Sequence, residues 1–182
     1  MSNCREPLPD TDDEIDQNFV KRVTANDPVA LVKKGIQCRH EGNCYNAFQY
    51  YRTAAGLGDA DAHFELSVLY LLGEVVEKNE KKTTYHMEEA AIGGHHLARF
   101  NLGVYEAENE RFDRAVKHYI IAAKLGLDDA LEKVKKYFLK RLVSKEDYAA
   151  ALRGHQAAVD ATKSKQREEA YAFLDKYRIT LS

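Results

Sequence analysis

Histidine and cysteine are the first residues to test for chemistry in this 182-residue sequence, which carries 7 of the former and 3 of the latter. Histidine serves acid–base catalysis near neutral pH, and both types ligate zinc. The densest cluster is Cys38, His40 and Cys44. Its Cys-x-His-x3-Cys spacing is not that of a structural zinc site, and it offers three ligands where such a site closes with four. His95 and His96 are adjacent, and adjacent residues on a helix point to different faces. His63, His86, His118 and His155 fall on separate predicted helices, some at surface phases. Nothing in the sequence brings a nucleophile, a base and an orienting group together. Nucleophile-elbow, phosphate-loop, dinucleotide and His-Glu-x-x-His motifs are absent from it. The carboxylate pairs Glu88-Glu89 and Asp128-Asp129 fall at helix ends or exposed phases, and the second suits a helix N-terminus by its charge. Lys133, Lys135, Lys136, Lys140 and Arg141 spread around a helix and read as a solvated face. The expectation is a non-enzymatic protein with no catalytic residue, no cofactor and no metal.

The elements that hold these residues follow from composition and punctuation. Hydrophobic content of 45% with 31% charged residues fits a folded chain with a sizeable core. Lys+Arg 27 against Asp+Glu 29 leaves a net charge of −2, without the positive field of a backbone-driven nucleic-acid binder. No stretch approaches the roughly 18 apolar residues a membrane span needs. The opening residues MSNCREPLPDTDDEID have neither the basic nor the apolar region of a secretory signal. Three cysteines cannot all pair with one another, which points to an intracellular, reducing compartment, cytoplasm or nucleus. Pro7, Pro9 and Pro28 are the only prolines. Helices exclude proline from their interiors, so an all-α chain is expected after residue 27.

The chain also repeats itself. Tyr51-x-x-Ala54-Ala55-x-x-Gly58-x-x-x-Ala62, Met87-x-x-Ala90-Ala91-x-x-Gly94-x-x-x-Ala98 and Tyr119-x-x-Ala122-Ala123-x-x-Gly126-x-x-x-Ala130 share one pattern, spaced 36 and 32 residues apart. A second, independent pattern places a small residue after a long one at Lys34-Gly35, Leu66-Ser67 and Leu102-Gly103, spaced 32 and 36 apart. Glycine inside a helix costs about 0.5–1 kcal/mol relative to alanine. That cost is offset if a neighbouring helix approaches closely there. Each unit reads as two antiparallel helices with glycine at the stops and Asp27, Asn79 and Ser144 as N-caps, Pro28 taking the first helical position. One hairpin cannot cover its own apolar face, so the units must stack.

Ala62-x-x-x-Leu66-Ser67-x-x-Tyr70-x-x-Gly73-x-x-Val76-x-x-Asn79, followed by Ala90-Ala91-x-x-Gly94, resembles the Sel-one-like repeat family, a branch of the tetratricopeptide-like solenoids. The resemblance covers residues 28–160 and implies a right-handed helical-hairpin solenoid of three clear repeats, one degenerate repeat and a C-terminal capping helix. The boundaries are a flexible tail over 1–14, a short helix over 15–26 presenting Ile15, Phe19 and Val23, the repeats over 27–161, and a cap over 162–182 presenting Ala170, Leu174 and Tyr177. In the degenerate repeat, Lys135 replaces the small residue and Ala157-Ala158 stands as the alanine pair. Cys38 falls where the next repeat has Tyr70, a core position.

In such a solenoid the first helix of each unit lines the concave face. The resemblance then implies an adaptor or scaffold binding a protein or peptide partner there. Val32, Ile36, Phe64, Val68, Phe100 and Val104 would form an apolar stripe, with Lys136 and Glu132 at a charged end. Neither nucleic acid nor membrane is expected as a partner, and the chain is expected to be a monomer. Cys4-Arg-Glu-Pro-Leu-Pro also resembles the tail of a RING finger. That likeness implies the alternative of a substrate-recognition part of a ubiquitin-ligase-related protein, although the preceding zinc ligands of a RING are missing from this sequence.

Overall fold

The structure, a computed structural model, describes residues 12–176. Among these residues the chain forms helices and short turns, with no strand. The helices are α1 (Asp12–Thr24), α2 (Pro28–His40), α3 (Cys44–Gly56), α4 (Ala60–Leu72), α5 (Glu80–Ile92), α6 (His96–Glu108), α7 (Phe112–Lys124), α8 (Asp128–Leu139) and α9 (Lys145–Lys176). Helices α2/α3, α4/α5, α6/α7 and α8/α9 pair as successive hairpins, each with a first (A) and a second (B) helix. They fall into two compact units, the first ending at His95 and the second beginning at His96.

Local sequence explains where the helices start and stop. The Asp27 carboxylate accepts from the Ala30 amide at 3.0 Å while Pro28 opens α2, where a missing N–H costs nothing. Asn79 accepts from the Lys82 amide at 2.9 Å. Ser144 accepts from the Asp147 amide at 3.0 Å and donates its own hydroxyl to the Asp147 carboxylate at 2.8 Å. Gly73 ends α4 in the left-handed conformation at φ 74°, which a side chain disfavours.

The small residues of the A helices have a specific partner. A β-carbon on Gly35 would lie 2.5 Å from the Tyr51 ring, and one on Gly103 would lie 2.7 Å from the Tyr119 ring. Each tyrosine is the aromatic of its own B helix, and both are fully or almost fully buried. In the middle repeat Ser67 and Met87 occupy the same positions, with the hydroxyl 3.8 Å from the thioether sulfur. The larger A-helix residue therefore meets the slimmer B-helix side chain. Each repeat keeps the sum of the two volumes rather than either residue.

Unit 1 builds its core from Leu31, Val32, Cys38, Phe48, Tyr51, Leu66 and Leu69 among others, with Val23 of α1 packed against it. Unit 2 centres on Val116, Tyr119, Val134 and the alanines of α7 and α9. Full burial of each large side chain contributes about 1.5–3 kcal/mol.

Three sequence expectations need correction. The N-terminal helix begins at Asp12 rather than residue 15. No break separates a cap at 162: α9 runs continuously from Lys145 to Lys176, a stretch without proline whose single glycine, Gly154, packs against Lys124 of α7. The alanine of α9 that reaches the core is Ala151, whereas Ala157 is exposed and Ala158 half-buried. Residues 1–11 and 177–182, with Cys4 and Tyr177 among them, lie outside the described residues, as do the side chains of Ile15, Ala170 and Leu174.

Candidate protein-interaction site

In unit 1 the expected A-helix stripe divides by burial. Val32 is 7% exposed and belongs to the core, so it supports the face rather than presenting it. Ile36, one turn further along α2, is 40% exposed. On α4, Phe64 is half-buried with its ring stacked on His95, centroids 4.1 Å apart and planes 18° apart. Val68 is half-buried. In unit 2, Phe100 and Val104 of α6 both pack against the core, Phe100 within 5.5 Å of the Tyr119 ring, so much of their apolar surface is already covered. Lys136 of α8 is exposed. The exposed part of the stripe is thus greater in unit 1, at Ile36 and the flank of Phe64.

Behind these faces lie polar contacts that the sequence patterns did not isolate. The His63 ring is 8% exposed. Its Nε2 lies 3.0 Å from the Ala55 carbonyl, which can only accept, so Nε2 carries the proton and Nδ1 is bare. His86 Nδ1, 3.0 Å away, must then donate to it. The His86 ring stacks on Tyr70 with planes 6° apart, and Lys82 sits 4.9 Å over the tyrosine ring. Burial first, then the neighbouring His63 and Lys82, holds the His86 pKa down at about 4. The His86 ring is accordingly a neutral member of this hydrogen-bonded pair rather than a charged group. Nearby in unit 1, Arg39 of α2 meets Glu65 of α4 at 2.8 Å, and burial raises the Glu65 pKa despite that cation. Burial, and then the Glu65 charge, pushes the Tyr51 phenol up to about 12.

Unit 2 buries a carboxylate, Glu106, at the position that Tyr70 holds in unit 1. Glu106 of α6 is 5% exposed, and its carboxylate accepts from Arg111 and forms an ion pair with Arg114 at 3.1 Å. Hydrogen bonding to Glu106 raises the Arg111 pKa. Arg111 precedes α7 at the place where Asn43 and Asn79 cap α3 and α5, and it makes no side-chain cap. His118 has its pKa lowered by burial and then by Arg99. His155 Nε2 lies 2.8 Å from Asp128, an ion-pair distance without the alignment of a hydrogen bond. Cys38 is a buried free thiol and Cys44 a half-buried one. Among the described residues, no group of three or more His, Cys, Asp or Glu side chains is placed to hold a metal. No described helix is long and apolar enough to cross a membrane.

One signal could have revealed these contacts in the sequence. His86 and His118 are 32 apart, and His63 and Arg99 are 36 apart, the spacings of the repeat itself. Read repeat by repeat, the paired positions are Leu31/Tyr50, His63/His86 and Arg99/His118. Treating the histidines as scattered across separate helices concealed that series.

Hairpins of this design, with short turns and small-on-large packing, define a class of helical-repeat proteins. The Sel1 repeat model matches residues 34–59, 60–95 and 96–127, just over half of the chain. This chain belongs to the Sel1 repeat family. The match ends before α8, in keeping with the degenerate character of that unit. Among solved structures it is similar to a Sel1 repeat protein from Oxalobacter formigenes, at 25% identity and a TM-score of 0.64, over 79% of this chain and 62% of that one. It is also similar to c5321, a protective antigen of uropathogenic Escherichia coli strains displaying an SLR fold, at 22% identity and a TM-score of 0.61, over 75% of this chain and 32% of that one. The chain thus spans less than two thirds of either protein. No curated protein matches it. The fold class is the all-α helical-repeat solenoid, an architecture whose exposed helix faces typically serve protein–protein interaction.

Proposed function

We propose that this protein is a non-enzymatic adaptor that holds a protein or peptide partner on the A-helix faces of its repeats. The observation that carries the reading is the exposed apolar surface of Ile36 on α2, with the half-buried Phe64 ring on α4, the A helices of two successive Sel1 repeats. Val68 extends that surface in unit 1. Phe100, Val104 and Lys136 are the corresponding contacts in unit 2, and Val32 supports from beneath. The free thiols of Cys38 and Cys44 support a reducing compartment, and the net charge of −2 supports protein rather than nucleic acid as the partner. The chain acts as a monomer in this reading.

Affinity capture with the intact chain and an Ile36→Glu/Phe64→Glu variant tests the site. Both residues keep surface toward solvent, so the variant should stay folded. Phe100→Glu is the poorer probe, because Phe100 packs on the unit 2 core. A partner lost with the unit 1 variant supports the site, and a partner retained at full yield removes it. Ubiquitin-conjugation enzymes or ubiquitylated clients among captured proteins would favour the ligase-related alternative, which rests on Cys4-Arg-Glu-Pro-Leu-Pro.

A further inference from the structure

The His63–His86 contact of unit 1 has the make-up of a ligand pair. The two Nδ1 atoms face each other at 3.0 Å with one proton between them. Nε2 of His63 donates to the Ala55 carbonyl at 3.0 Å, the outer hydrogen bond with which metal-ligating histidines fix their tautomer and ring orientation. That bond leaves the His63 Nδ1 lone pair directed at His86. His63 is buried, but His86 is half-buried beside the exposed Tyr85, so one ring of the pair reaches solvent. The matching positions hold Leu31/Tyr50 in repeat one and Arg99/His118 in repeat three. Packing of the hairpin therefore does not require two imidazoles, and among these three repeats only the second brings them together.

A metal ion can take the place of the shared proton. That proton passes from Nδ1 to Nε2 of His86, both rings stay neutral, and each Nδ1 gives its lone pair to the ion. A modest turn of the His86 ring about its Cβ–Cγ bond, a soft torsion, converges the two lone pairs. With metal–nitrogen bonds of about 2.0–2.1 Å, nitrogens 3.0 Å apart subtend about 95° at one ion. Two cis ligands near a right angle suit the tetragonal geometry of nickel(II) or copper(II), whereas zinc takes the wider tetrahedral angle. Burial keeps the His86 ring neutral at pH 7, so binding there does not compete with an imidazolium proton. The opposing charge is Lys82, 4.9 Å over the Tyr70 ring that stacks on His86; its side chain is exposed and can turn toward water. We infer that His63 and His86 together bind a divalent ion of tetragonal preference, nickel(II) or copper(II), which ties α4 to α5 while water completes its coordination.

The test titrates the full chain with nickel chloride, which spares the thiols that copper(II) would oxidise, and with zinc chloride for comparison. Calorimetry gives affinity, and paramagnetic broadening of histidine and tyrosine ring protons locates the ion. The expected result is one tightest nickel site per chain, broadening centred on His63, His86, Tyr70 and Tyr85, and a Tm that rises with nickel concentration. Nickel affinity should fall roughly tenfold or more in His86→Gln and in His63→Leu/His86→Tyr, the second of which restores the residues of repeat one. Thermal melts establish that both variants are folded. His95→Gln/His96→Gln should bind nickel as the intact chain does. Unchanged affinity in His86→Gln, broadening confined to other histidines, zinc held more tightly than nickel, or no nickel binding at all would overturn the inference. Neither histidine belongs to the A-helix stripe, so loss of a partner in Ile36→Glu/Phe64→Glu leaves this result untouched, and the two sites fail or stand separately.

Discussion

Repeats two and three solve the same packing problem with opposite chemistry. In repeat two the A–B contact is an imidazole relay, Ala55 carbonyl to His63 to His86, with the Tyr70 ring stacked on His86. In repeat three Arg99 and His118 stand at the matching positions, and Glu106 with Arg111 replaces the Tyr70 and Asn79 of its predecessor. The helices keep their lengths and phases through these exchanges. The Sel1 scaffold is therefore specified by the glycine, alanine and aromatic positions, while the polar positions between them are free to become neutral or ionic. The consequence lies in their response to conditions. An imidazole relay answers to pH, and a buried carboxylate answers to the loss of its cations.

The largest effect should come from stripping the ionic version. Arg111→Ala with Arg114→Ala leaves the Glu106 carboxylate buried without its two cations, and a loss larger than that of a helix cap is expected in denaturant unfolding. Adding Glu106→Gln should recover much of it. Asn79→Ala in repeat two should cost only about 1 kcal/mol, the value of a cap. If the arginine pair costs no more than that cap, the two repeats do not differ in the way described.

The pH response comes next. The His86 pKa is held near 4 in the folded chain against 6.5 for an unperturbed imidazole. The unfolded chain therefore takes up the proton first. Stability is intact above about pH 6.5 and declines as pH falls toward 4, by at most about 3 kcal/mol. His63→Leu/His86→Tyr installs the residues of repeat one at these positions and should flatten that part of the stability–pH curve. An unchanged slope would mean the relay is not its source.

A smaller effect tests the volume exchange. Gly103→Ser should cost about 1–3 kcal/mol through its clash with Tyr119. Combining it with Tyr119→Met recreates the Ser67/Met87 pairing and should cost less than the sum of the two single changes. Strict additivity would refute the pairing.

The repeat itself was legible because two independent patterns shared one spacing, and because the Asp27, Asn79 and Ser144 caps are local devices that need only a few neighbouring residues. The close approach at Gly35 and Gly103 was legible as a fact, but its cause, a tyrosine ring of the same hairpin, required coordinates. The register of α9 was misread because alanine pairs recur along a long helix and carry no phase of their own; Ala151, not Ala157, meets the core. At the candidate site, the phase of the A helices names faces but not their exposure. It could not distinguish Val32, which is covered, from Ile36, which is open, since that depends on the helices packed around each.

The central claim is that the A-helix face of unit 1 recruits a protein. The most direct measurement is quantitative affinity capture and mass spectrometry on the source cell's lysate, with the intact chain and the Ile36→Glu/Phe64→Glu variant compared at matched stability. The account predicts a stoichiometric partner that the variant loses by tenfold or more, roughly 1.4 kcal/mol of binding free energy. A partner captured equally by both, or no stoichiometric partner on the intact chain, would contradict it.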